Sequence, residues 1–84
     1  MSRYDPLRDY LQRQQAATVR LRLDEIESLI AAPLPASARR HRPWWANETA
    51  GAHVQARAWL AAGYRIAEID TNRGYATFVR NETL

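Results

Sequence analysis

The sequence predicts an α+β domain in which short helices pack on one small antiparallel sheet. Three observations carry that expectation. Residues 18–23, TVRLRL, alternate apolar and polar side chains with the period of a half-buried strand. Residues 64–80 hold two further strand-like runs on either side of Thr71-Asn72-Arg73-Gly74, a tight-turn sequence. Two earlier segments place apolar residues at helical spacing. At 84 residues the chain is read as a single domain, 1–84, long enough to bury a core of its own.

Taken in order, Asp5-Pro6 reads as a helix start, with Asp5 as cap and Pro6 at the first helical position. Leu7, Tyr10 and Leu11 form one stripe of a helix running from about Pro6 to Gln14. The strand at 18–23 follows. A helix over about Leu23–Ala31 then sets Leu23, Ile26, Leu29 and Ile30 on one face, with Asp24, Glu25 and Glu27 near its start, where the helix dipole favours acids. Pro33 and Pro35 are expected to end it. Residues 35–40 allow one short helical turn, broken at His41-Arg42-Pro43. A helix from about Ala50 to Ala62 is expected next, capped by Asn47 or Thr49 and stopped by a left-handed Gly63. Strands at Tyr64–Asp70 and Tyr75–Arg80 close the chain as a hairpin. Ile66 and Ile69 are three apart, which breaks the alternation and signals a bulge. The strand near Thr18–Arg22 should pair beside this hairpin. The expected core is Leu7, Leu11, Leu21, Ile26, Leu29, Ile30, Trp59, Leu60, Ile66 and Phe78. The tail from Asn81 to Leu84 is expected to fray.

The stretch Arg39–Leu60 concentrates the chemistry. It holds Arg39, Arg40, Arg42 and Arg57, both histidines and all three tryptophans. All twelve basic residues of the chain are arginine, whose planar fork suits phosphates and guanine edges. The net charge is only +3, but residues 39–47 contain no acid, so the charge is asymmetric and makes a positive patch. Arg39, Arg40 and Arg42 are candidates for phosphate contacts, or else a solvated face. Trp44 and Trp45, if extended, point to opposite sides; both can pack beside Trp59, or one of them, with Trp45 as the candidate, can serve as an exposed stacking or wedging platform or at a protein interface. Asn47 is either a helix cap or a contact to adenine. His53 and Gln55 lie in the first turns of the expected third main helix, where base edges are read, or form a plain polar surface. Arg57 is expected at a phosphate, and Arg73 in the hairpin turn is a further candidate for nucleic-acid contact.

Other classes fit poorly. There is no cysteine, hence no disulfide framework or zinc-finger spacing. Two histidines with only Glu48 nearby make no metal site, Ser37 has no base-and-orienter partners, and no Gly-rich phosphate loop exists. No enzyme, cofactor or metal is expected. The start, MSRYDPLRDY, has no apolar run, so a secretory signal or membrane span is not expected and a cytoplasmic location is. For the same reason the acceptor patterns at Asn47 and Asn81 are not expected to carry glycans.

The element order helix-strand-helix-helix-strand-strand resembles the winged-helix fold, with a long link at about residues 32–49 before the third main helix. That resemblance implies the third main helix in the DNA major groove and the hairpin as a wing against the backbone or the minor groove. More locally, PLRDYL, LDEIESLI, LPASAR, WWAN and AWLAAGYRI come in an order that resembles a small bacterial domain family of unknown function. It implies short stand-alone proteins and modules near restriction or mobile-element genes, and it brings no catalytic chemistry. The expectation is therefore a small factor that binds double-stranded DNA through the Arg39–Arg57 surface, a transcriptional regulator or a mobile-element- or defence-associated protein. The alternative is a protein-binding module or inhibitor that uses the same Trp/Arg surface. A homodimer through the first helix is also expected, since Tyr4, Leu7, Tyr10 and Leu11 offer more apolar area than one short helix needs.

Overall fold

The computed structural model describes residues 2–48 and 54–81. The order is α1 (Asp5–Gln12), β1 (Thr18–Arg22), α2 (Leu23–Ile30), α3 (Ala36–Arg40), a 3-10 turn (Arg42–Trp45), α4 (Val54–Ala61), β2 (Tyr64–Asp70) and β3 (Tyr75–Arg80). The strands form one antiparallel sheet in the order β1-β3-β2. The fold is thus α+β with the winged-helix-like order, and β1 does pair beside the C-terminal hairpin.

Local sequence explains most element ends. α1 begins at Asp5, one residue earlier than expected, and Asp5 is not its cap. The Asp5 carboxylate instead accepts the Ser2 N–H (3.2 Å), while Ser2 Oγ accepts the Tyr4 N–H (3.1 Å). Orphan donors before the first turn are satisfied by this exchange. α1 stops at Gln12, short of Gln14. At the start of α2, the Glu25 carboxylate reaches back to accept the Arg22 N–H (2.8 Å). α2 ends at Ile30, capped by Ala31 in the left-handed region at φ 56°, before either proline is reached. The expected start of the third main helix at Ala50 lies outside the described residues; from Val54 onward it is helical. Gly63 follows it at φ 88°, a conformation that disfavours any side chain.

One face of the sheet meets the helices. Val19 and Leu21 of β1 point inward, beside Phe78 and Ala76 of β3, while Thr18, Arg20 and Arg22 point out. The bulge expected between Ile66 and Ile69 is present, with the register shifting between Ile66 and Glu68. On the outer face the Arg20 guanidinium lies 4.3 Å over the Tyr75 ring and its Nε donates to Thr77 Oγ1 (3.3 Å).

The core is larger than the sequence suggests. Leu7, Leu11, Leu21, Ile26, Ile30, Trp59 and Phe78 are buried as expected, whereas Leu29, Leu60 and Ile66 are partly buried. Tyr4, Leu23, Leu34, Trp45, Tyr64 and Ile69 join them. A run of ring contacts, Tyr4–Trp44–Trp45–Trp59–Phe78, crosses the core from the N-terminus to the sheet. Tyr4, Leu7 and Leu11 are therefore spent inside the molecule. Tyr10, the fourth residue of the stripe from which a dimer through α1 is expected, is partly buried against the same core.

Candidate nucleic-acid interface

The basic run sits on α3 and the 3-10 turn, and the packing of that segment fixes where each arginine goes. Ala38 is fully buried, which roots α3 against the core and leaves Arg39 and Arg40 exposed. Arg39 pairs with Glu27 of α2 at 3.1 Å. The same carboxylate accepts the Leu34 N–H at 2.7 Å and so ties the link to α2. These bonds, first the Leu34 N–H and then the Arg39 guanidinium, hold the Glu27 pKa below its ordinary value. A lowered carboxyl pKa contributes stability that is present above the unfolded value and lost as pH falls through the folded one. The stability difference between the parent and Glu27→Gln should hold at neutral pH and shrink as pH drops below about 4.5. Denaturant melts at several pH values would measure this; a difference independent of pH would contradict it. Arg39 is thus already matched by an acid, unlike the bare phosphate contact expected of it.

Trp44 and Trp45 do not straddle an extended strand. In a 3-10 turn successive side chains are about 120° apart, so both can pack on the same side. Trp45 is 2% exposed and stacks on Trp59 with ring centroids at 5.8 Å, and its Nε1–H donates to the Ala38 carbonyl (2.8 Å). The expectation of Trp45 at a ligand is corrected: it is a core residue. Trp44 is half-buried between Tyr4 and Trp45.

Asn47 and Gln55 are also occupied. The Asn47 amide donates to the Ile66 carbonyl (3.0 Å), and its Oδ1 accepts from the Ile66 N–H (2.9 Å) and from Trp59 Nε1 (2.9 Å). One carboxamide thus takes the place of a strand neighbour for Ile66 and fastens Trp59 as well. The adenine contact expected of Asn47 does not describe this use, and the helix start that it was expected to cap lies outside the described residues. Gln55 is 5% exposed, with Nε2 donating to the Trp44 carbonyl (2.8 Å). It lies inside α4's packing, so the expected approach to base edges is corrected too. His53 falls outside the described residues.

All five candidate arginines, Arg39, Arg40, Arg42, Arg57 and Arg73, are exposed, and so is His41. Arg42 Nη2 reaches the Ile69 carbonyl of β2 at 3.4 Å. Arg73, in the hairpin turn, donates its N–H to Asp70 Oδ1 (2.8 Å) and has its guanidinium 4.0 Å from the same carboxylate. Ile69 and Asp70 are consecutive, so the basic run and the hairpin turn adjoin. Arg57 lies apart, lining a cleft of about 260 Å³ between α4 and the start of α1 with Ser2, Asp5, Arg8, Val54, Ala58 and Ala61. Among the described residues no group of three or more His, Cys, Asp or Glu gathers to hold a metal. No helix among them is long and apolar enough to cross a membrane.

An α+β domain with a winged-helix-like order and an arginine-bearing edge is the class these features define. The chain belongs to the family described as a domain of unknown function, DUF7662, whose model matches residues 4–81. That agrees with the small family of unknown function that the local motifs resemble. No curated protein and no solved structure matches the chain.

Proposed function

We propose that this domain binds double-stranded DNA through phosphate contacts from the face shared by α3, the 3-10 turn and the hairpin turn. In this reading it is a small DNA-binding factor, a transcriptional regulator or a mobile-element- or defence-associated protein. The observation that carries the proposal is the adjoining of Arg42 and the hairpin at Ile69 and Asp70, which brings Arg42 close to the turn that holds Arg73; the exposed Arg40 and His41 directly precede Arg42 in the chain. Residues 39–47 bring no acid to that edge. Asp70 is the nearby counter-charge, and exposed pairs of that kind are worth about 0–1 kcal/mol, so a phosphate can replace it. Arginine forks suit phosphate oxygens, and such contacts position a protein on nucleic acid.

An electrophoretic shift on random duplex at low and moderate salt tests this. Binding should weaken steeply with salt, and Arg40→Ala or Arg42→Ala should each reduce the salt slope by about one unit. Absence of a shift at low salt, or variants with the parental slope, would end the proposal. The alternative of a protein-binding module loses its Trp45 anchor to the core. It keeps one supporting observation: Val54, 43% exposed at the cleft between α1 and α4.

A further inference from the structure

Resting on the reading above, we infer that the domain recognises the duplex backbone itself and does not read bases from α4. The buried side of α4 is Gln55, Ala56, Ala58 and Trp59, and its exposed positions are Val54, Arg57 and Ala61. Base edges in the major groove are read by Asn, Gln, Arg, Lys or acidic side chains that project from the helix. Among the described residues of α4, Gln55 is turned inward, and Arg57 lines the cleft against α1 and is itself partnered. Asn47, at the end of the segment after the 3-10 turn, has both ends of its carboxamide bonded to Ile66 and Trp59. What this part of the molecule offers a ligand is guanidinium groups. Those attract phosphates whatever the sequence.

The aromatic residues narrow the ligand class further. Proteins that hold single strands stack bases on exposed rings, each worth about 1–3 kcal/mol. Here Tyr4, Trp45, Trp59, Tyr64 and Phe78 are buried, and Trp44 is packed edge-on between two rings. Tyr75 is covered by the Arg20 guanidinium at 4.3 Å. Val54 is the exposed large hydrophobic residue among those described, and it has no π-face. Tyr10 is partly buried against the core, so no described Trp, Tyr or Phe ring stands fully exposed as a stacking platform, and the regular double row of phosphates is the ligand that fits the edge.

The test is a fluorescence-anisotropy titration of the full chain at low salt. The probes are a labelled random duplex, a labelled A·T-only duplex, a labelled G·C-rich duplex and a single strand, all of one length. The expected result is affinities within about threefold across the duplexes, each lost in parallel as salt rises, and a single strand weaker by about tenfold or more. A preference beyond about tenfold for one duplex sequence overturns the inference and leaves the proposed function standing. A single strand bound as tightly as the duplexes also overturns it. Absence of binding to every probe overturns the proposed function and the inference together. Arg40→Ala and Arg42→Ala should weaken all duplexes by the same factor; a variant that weakens one sequence alone counts against it.

Discussion

Trp59→Ala should lower the melting midpoint by roughly 10–40 °C, the equivalent of about 3–5 kcal/mol. Trp59 is fully buried and meets the rings of Trp45 and Phe78, each at 5.8 Å between centroids. Truncation removes the middle of the aromatic run and leaves a cavity between α4 and the sheet. It also strips Asn47 Oδ1 of one donor. An 84-residue domain has only about 4–12 kcal/mol of stability in all, so this loss would take about a quarter of it or more. Trp59→Phe keeps most of the ring volume and should cost clearly less. A calorimetric midpoint within a few degrees of the parent for Trp59→Ala would contradict the packing described.

The second large effect should come from a residue at the surface. Asn47→Ala removes the bonds to the Ile66 N–H, the Ile66 carbonyl and Trp59 Nε1 together. Ile66 can turn to water, but the Trp59 N–H would be left in the interior, and an orphaned buried donor costs about 1–3 kcal/mol. The expected total is about 2–3 kcal/mol in a denaturant titration. Hydrogen exchange gives the sharper measurement. The Ile66 amide should lose its protection in Asn47→Ala and keep it in Asn47→Asp, which retains the acceptor and loses the donor. Equal exchange in the parent and Asn47→Ala would show that the Asn47–Ile66 pair does not form.

The element order was legible because periodicity reports burial wherever one face is wet. The alternation in TVRLRL, the Thr71–Gly74 turn and the Ile66/Ile69 spacing each mark a feature that is present. The site was less legible, for physical reasons tied to particular residues. In VQARAWLA the alanines fall on every side, so the sequence of α4 does not say which way Gln55 faces. For the Trp pair the packing beside Trp59 is the alternative that holds, and the extended geometry does not, because the chain forms a 3-10 turn there. Asn47 acts on a residue nineteen positions away, and a side chain that completes a distant strand leaves no local pattern. Glu27, which fastens both Leu34 and Arg39, read only as one of the acids near a helix start. The outward arginines were the part that composition could find, because charge without nearby acid stays in water wherever the chain folds.

β2 lies at an edge of the sheet, and an open edge invites a strand from another molecule. Here that margin is finished by side chains: Asn47 takes both peptide groups of Ile66, and Arg42 takes the carbonyl of Ile69. The bulge between them bends the strand away from the straight line a newcomer would need. The consequence concerns solubility more than stability. Copies of this domain crowded together have no continuous ladder along β2 on which to extend one another's sheets. Disturbing Asn47 and Arg42 would expose a template for aggregation in a molecule that still holds its fold.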